Sequence, residues 1–543
     1  MSADSQNPTE KPLSRRRLLK LGGAAVVAAG AGSALQSPQR ILAQGKATWV
    51  TDAFQVRLNA ARMEANRPAA QHKSNGDEQR YPARIGNYSK GLPHNSLGEV
   101  DAAAYAAFLL ACDKGRFDDF ERIPMGGAAK LTNPMAGMAM VLQGPDGRSL
   151  LQPQAPAFAS AEIASEIAEN YWMALTRDIP FTEYATNPLT IAAAADMSQF
   201  SVFRGPKVSG QVTPGTLFRG VGPGHVGGPY LSQFMLLETP FGAETISRRM
   251  RTPVAGVDFM TSYAEWLSIQ RGNNPSASLS FDATPRYIRN GRDLGEWVHI
   301  DVLFQAYFNA MLILFRLGAP YDSLNPYNSA ITQKAFGTLG DPYTASILAA
   351  VAKPALAAVW FQKWFVHRRL RPEAFAGRVH NHATNATWYP VNGEILDSAA
   401  LPAVFSRFGS YLLPMAFPEG APTHPSYGAG HATVAGACTT LLKALFDESF
   451  VIPSPVVPSA DGLSLLPYAG PPLTVGGELN KLAANVAFGR NMAGVHWRSD
   501  ATESLKLGEE LAIWFLREEI MCLRERNPAW QLTKFDGTTV TLG

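Results

Sequence analysis

Cysteine is nearly absent from this chain: Cys112, Cys438 and Cys522 are the only three in 543 residues. Their spacing excludes zinc-ribbon and cluster-binding motifs, and so few cannot staple a disulfide scaffold. In an oxidising compartment an odd number leaves either a bond between subunits or buried thiols, and burial suits Cys438, which sits in a core-like helical stretch. No stretch beyond residue 44 reaches 18 uninterrupted apolar residues, so no membrane span is expected in the mature chain. Charged residues make up only 17%, and no basic stripe offers a nucleic-acid surface. What the chain does have is apolar bulk, 46% hydrophobic and 10% aromatic. That is enough to bury a large core and to exclude disorder across the main body.

The near-neutral charge hides an asymmetry. Residues 1–44 hold six Lys/Arg and two Asp/Glu, a net +4, so the whole-chain +3 becomes −1 once they are set aside. Ser14-Arg15-Arg16-Arg17-Leu18-Leu19-Lys20 matches a twin-arginine pattern, and a mild Gly/Ala-rich run follows from Leu21 to Leu35. This order of charge, apolar run and small residues is that of an export signal, which implies a periplasmic or otherwise exported protein. Residues 45–100, broken by Gly, Pro and Asn, read as an extended N-terminal arm. From 101 to 543 the dominant period is helical, with candidates near 100–114, 157–176, 188–200, 256–270, 285–317, 342–371, 430–447, 476–490 and 500–526. The 285–317 segment reads as one buried rod, and Pro354 as a kink or a fresh start within 342–371. Short hairpins are expected at 217–228 and 538–542, and a surface loop at 453–472. The fold class is mainly α, built of packed bundles with few short strands.

Three segments carry chemistry. In the first, Lys363, His367 and Arg371 fall at i, i+4 and i+8, so one helix would align them on one face, with Pro372 ending it. A basic helix face is usually solvated, but Trp360, Phe361, Trp364 and Phe365 argue for burial, and buried cations need a counter-anion. Glu373 can serve one of them. In the second, His424 precedes a Gly-rich turn, Gly428-Ala429-Gly430, that leads into a helix starting near His431. Such a turn allows backbone amides to face an anion. In the third, Arg490 is followed by His496, with Asp500 four residues on. If that stretch turns helically, Asp500 accepts one ring N–H of His496 and fixes its tautomer. Each segment alone has a structural explanation. Together they describe a cradle for a tetrahedral oxyanion.

In this order the segments resemble the vanadium-dependent haloperoxidases, which share their pocket with the type 2 phosphatidic acid phosphatases. Against the family pattern of a Lys, an Arg-Pro, a Ser-Gly-His and an Arg-x5-His with Asp four on, this chain gives Lys363, Arg371-Pro372, Ala429-Gly430-His431, Arg490, His496 and Asp500. The string from Lys363 to Ala374 with seven residues between Lys363 and Arg371, the extra His424, the Ser426-Tyr427-Gly428 run and the stretch from Arg286 to Asp293 are similar to the algal and cyanobacterial bromoperoxidase branch. The resemblance covers nearly the whole mature chain.

The resemblance implies a vanadate cofactor coordinated by His496. Lys363, Arg371, Arg490 and the Gly430 amide would neutralise its oxygens, His431 and Lys363 would act on hydrogen peroxide, and His424 would tune His431 and the halide site. Asp500 supports His496 from behind, and His367 is either a supporting residue or packing. The implied substrates are hydrogen peroxide, a halide (bromide, with chloride or iodide open) and a small organic acceptor. The implied assembly is a homo-oligomer, from dimer to dodecamer. Ala429 departs from the pattern, since a Ser there would donate to the oxyanion. An acid phosphatase with His496 as nucleophile is the alternative use of the same pocket, and a non-catalytic oxyanion-binding protein is a second.

Overall fold

The computed structural model describes residues 46–543, so the export signal expected over 1–44 lies outside the described residues. Contacts divide the chain into Met1–Ala61 and Arg62–Gly543, and the second unit carries all the chemistry described below. Helix α1 (Lys46–Ala65) replaces the extended chain expected at the start of 45–100. No Gly or Pro occurs between Gly45 and Pro68, so nothing there stops a helix. Beyond it, residues 66–100 are irregular apart from short turns.

The helices that build and support the site are α2 (Ala102–Lys114), α3 (Ala161–Thr176), α4 (Gly291–Trp297), α5 (Gln305–Leu317), α6 (Asp341–Phe361), α7 (Pro372–Ala383), α8 (Gly430–Leu445), α9 (Val475–Met492) and α10 (Arg498–Cys522). Polar side chains cap several of them. Asp101 accepts from the Ala104 amide, Ser160 from Ile163, Asn290 from Asp293 and Thr474 from Gly477. Helix α8 is the hub, packed against α5, α6, α9 and α10 and buried along nearly its whole length. Its small residues permit this. A Cβ on Gly436 would overlap the Leu505 carbonyl of α10, and one on Gly508 of α10 would overlap the Thr433 carbonyl of α8. The two backbones therefore meet directly, which fixes the segment before α8 relative to the segment before α10.

Several sequence expectations are corrected by geometry. The 285–317 rod is two helices, α4 and α5, separated by an irregular stretch at 298–304, in which Val302 and Leu303 are exposed. The 342–371 helix runs without a break through Pro354 but ends at Phe361 in a π-helical turn, Gln362–His367, after which Arg368 takes a left-handed conformation (φ 43°). Pro372 opens α7 rather than closing its predecessor, using the position where its missing N–H costs nothing. The strands are three antiparallel hairpins, Thr239–Phe241 with Glu244–Ile246, Val456–Pro458 with Leu465–Pro467, and Trp530–Thr533 with Thr539–Leu542. The last contains the expected 538–542 strand. The second lies inside the expected loop, and 217–228 forms none.

Residues Asp341–His367 are long and apolar enough to cross a membrane by composition. In the fold this stretch packs on α8 and α10, and its apolar residues join the core. Cys112 and Cys438 are buried thiols, while Cys522 is exposed.

Candidate active site

The π-turn delivers the first cation. Lys363 is fully buried, and its Nζ donates to the carbonyl oxygens of Pro425 (3.0 Å) and Ser426 (2.9 Å), above the Trp360 ring. Arg371, at the mouth of α7, is held as a fork. Its Nε donates to the His424 carbonyl (3.0 Å), Nη1 to the Val495 carbonyl (2.8 Å) and Nη2 to His424 Nδ1 (2.8 Å). Arg490, near the end of α9, donates from Nη1 to the Val298 carbonyl at 2.7 Å, while its Nε is buried without a partner among the described residues. Lys363, His367 and Arg371 therefore do not share one helix face. The π-turn and the left-handed Arg368 rotate them apart. His367 packs edge-on against Tyr427 (4.8 Å), and neither of its ring nitrogens is hydrogen-bonded among the described residues.

The run of basic residues sorts itself by partner. Arg368 pairs with Glu78 (2.7 Å), and Arg369 with Glu166 and Asp500 (2.9 Å each). Among the described residues, no carboxylate pairs with Lys363, Arg371 or Arg490. Burial pushes Arg371 and Arg490 down to about 10. Burial, with Arg371 and Arg490 adding to it, holds Lys363 well below the usual lysine value. Asp500 lies near enough to act on Lys363 and Arg371, and Asp301 and Glu419 on Arg490. Three buried cations with no carboxylate in direct contact are nonetheless costly unless an anion joins them. Glu373, the one carboxylate near in sequence, is occupied by Lys90 (2.8 Å).

His496 stands beside these cations. Its Nδ1 lies 2.8 Å from Asp500 Oδ2, and since a carboxylate only accepts, Nδ1 carries the proton. That leaves Nε2 unprotonated, with its lone pair accepting from Arg371 Nη1 at 3.1 Å. Asp500 is itself anchored by Arg369, by the Ser426 hydroxyl and by the Trp497 amide (3.1 Å). Burial, together with Arg371, Lys363 and Arg490, keeps His496 well below the usual histidine pKa and so neutral, as a metal ligand requires. His424 is lowered by burial first, then by Lys363, Arg371 and His496, and its ring lies 4.8 Å from Trp360.

At α8, Ala429 occupies the N-cap without a side-chain cap, and Gly430 and His431 form the first turn. The Ala429 amide donates to Ser504 Oγ of α10 (2.8 Å), which seats the turn from behind. His431 Nε2 lies 2.8 Å from Asp301 Oδ1, in the irregular stretch between α4 and α5. A cavity of about 260 Å³ is lined by Trp360, His424, Gly430, His431, Arg490 and His496 among others. Every predicted site residue except His367 thus gathers at one place. Asp301, Trp360, Arg369 and Ser504 are the additions. Asp301 is not separable in sequence from a continuous α4–α5 rod, and Ser504 has no local signal at all.

The donor set suits an oxyanion of a metal. It offers cations, a helix start and one coordinating imidazole, and among the described residues no cluster of three or more His, Cys, Asp or Glu is placed to hold a bare cation. The comparisons agree. A family model described as the VCPO second helical-bundle domain matches residues 344–521. The vanadium-dependent bromoperoxidases of Corallina pilulifera and Corallina officinalis are each 36% identical, over 90% of this chain and 98% of theirs. That of Ascophyllum nodosum is 34% identical, over 90% and 92%. The second vanadate-dependent bromoperoxidase of Ascophyllum nodosum, a homohexamer, superposes with a TM-score of 0.87 at 30% identity, covering 99% of this chain and 94% of that one. The fold and its cradle define a vanadium-dependent haloperoxidase. Within that family the chain belongs to the bromoperoxidase branch of the algal enzymes.

Proposed function

We propose that this haloperoxidase oxidises bromide. Hydrogen peroxide, bromide and a proton give hypobromous acid and water, and the acid halogenates small organic acceptors. The observation that carries this reading is the set of three buried, carboxylate-free cations beside the neutral Nε2 of His496. Vanadate, when bound, supplies the Lewis acidity that makes peroxide oxygen electrophilic toward halide at constant oxidation state. His496 Nε2 would hold the metal, and Lys363, Arg371, Arg490 and the Gly430 amide its oxygens.

The other roles belong to the chain's own side chains. Asp500, fully buried behind the imidazole, fixes the His496 tautomer through Nδ1. Asp301 does the same for His431, accepting from Nε2 and leaving Nδ1 to take the peroxide proton and return it to the departing oxygen. Lys363, fixed by two carbonyls, polarises the peroxide. Trp360 and His424, with ring centroids 4.8 Å apart, line the cavity in which the halide would react.

The test is bromination of a phenol dye by peroxide and bromide after reconstitution with vanadate. Dye bromination that His496→Ala abolishes is expected. Phosphate-ester hydrolysis as the sole activity would replace this reading with the acid phosphatase. The homohexameric relative supports a homo-oligomer here, checked by light scattering. The arginine-rich leader supports export in the folded state, checked by fractionating cells that carry Arg15→Lys/Arg16→Lys.

A further inference from the structure

Beside the cradle lies a charged group that the reaction does not use. His299 sits two residues before Asp301, with Nδ1 3.1 Å from Glu296 Oε2 and Nε2 2.7 Å from Glu419 Oε1. Its ring lies flat on Phe417, centroids 3.6 Å apart and planes 8° apart. Both partners are acceptors when ionised, so both ring nitrogens donate and the ring is an imidazolium. Burial opposes that charge, but the hydrogen bonds to Glu296 and Glu419 outweigh it and hold the pKa above the usual histidine value.

The two ends of this contact belong to different walls of the site. On one side, Val298 accepts Arg490 (2.7 Å) and Asp301 accepts His431 (2.8 Å). On the other, Glu419 opens the turn that runs through Pro422 to His424. Lys90 pins that turn by donating to the carbonyls of Glu419 (2.7 Å) and Ala421 (2.6 Å), and Glu373 receives the Ala421 amide (2.6 Å). Glu296 is buried at the end of α4, whereas the Glu419 side chain is 45% exposed. The clamp borders a second cavity of about 340 Å³ that shares Pro422 and Arg490 with the first, and solvent reaches it at the exposed Glu419 side chain.

We propose that His299 is a positioning residue, whose bridge from Glu296 to Glu419 holds the Val298–Asp301 stretch against the His424 turn and thereby sets Asp301 on His431 and Val298 on Arg490. This rests on the haloperoxidase reading of the cradle. The charged groups facing the bridge are Glu296, Glu419, Lys90, Arg490 and Asp301. As pH rises through the elevated His299 pKa, the ring loses one donor and one end of the bridge weakens, so the clamp contributes to an alkaline loss of activity.

The vanadate-loaded enzyme tests this with His299→Phe, which keeps the stack on Phe417, and Glu419→Gln, which keeps a hydrogen-bonding group without its charge. His299→Phe is expected to lower kcat for bromide oxidation about tenfold or more, with KM for bromide little changed. Combined with Asp301→Asn, the losses should fall short of multiplying, because both act through His431. Glu419→Gln should move the alkaline limb of the pH–rate profile to lower pH. Losses that multiply in the double variant, or a Glu419→Gln profile that superimposes on the parent's, would overturn the proposal. Should His299→Phe not fold, the Glu419→Gln profile alone decides. Failure of the haloperoxidase reading would look different, since the parent enzyme would then oxidise no halide at any pH.

Discussion

Ala429 shows how a single methyl sits in a site otherwise complete. It is buried at the start of α8, with its amide spent on Ser504 and its carbonyl accepting the Thr433 hydroxyl (2.9 Å). Restoring a hydroxyl with Ala429→Ser is expected to tighten vanadate binding by about one to two decades, the worth of one hydrogen bond to a charged acceptor. Titration of the metal-free protein with vanadate measures this, and superimposable curves would show that the hydroxyl does not reach the anion. At this scale the chain is highly legible. Lys363, His431, His496 and Asp500 are legible from the order of the three segments and their resemblance to the haloperoxidase pattern, since each segment alone has a structural explanation. What spacing does not separate is Arg371 from Arg368 and Arg369. The carboxylates that occupy the latter two, Glu78 and Glu166, come from nearly three hundred and about two hundred residues away.

Elements place those residues, and here the reading from sequence is weaker. Periodicity finds α8, α9 and α10, whose apolar and small residues repeat along whole helices. It misses the breaks after Phe361 and Val298, since neither carries a Gly or Pro signal and both are stabilised from elsewhere in the fold, by Arg490 on Val298 and by Glu78 on Arg368. These are the two places where the backbone turns toward the cradle. The α8–α10 contact makes a sharper prediction. Gly508→Ala puts a methyl against the Thr433 carbonyl, so it should cost about 1–3 kcal/mol by overpacking. It should also weaken vanadate retention, because Gly430 opens α8 and His496 lies two residues before α10. Denaturant unfolding and vanadate titration on the same variant check both, and a change in stability without a change in affinity would show that the helices shift as one body.

Across the whole molecule, buried neutral histidines make the fold sensitive to acid. Burial lowers His94 to about 4 and His225 and His367 to about 3. Their folded values lie below the unfolded value of about 6.5, so between the two the unfolded chain binds more protons and stability rises with pH. The stabilisation is full above the unfolded value and is lost as pH falls toward the folded one. Each such group contributes up to about 1.4 kcal/mol per pH unit. His367→Phe, which keeps the edge contact with Tyr427, should remove one group's share of that slope between about pH 6 and 4. Thermal unfolding across that range measures it, and an unchanged slope would show that His367 does not stay neutral in the fold.

The three cations without a carboxylate partner carry a last consequence, for handling as much as for chemistry. Their mutual repulsion opposes folding of the empty protein, and any tetrahedral anion that enters relieves it. Phosphate and sulfate should therefore act as placeholders, raising the melting temperature with the logarithm of their concentration while competing with vanadate for the same seat. A preparation made in phosphate buffer would then be sturdier and less active than one made in a non-coordinating buffer, from the same protein.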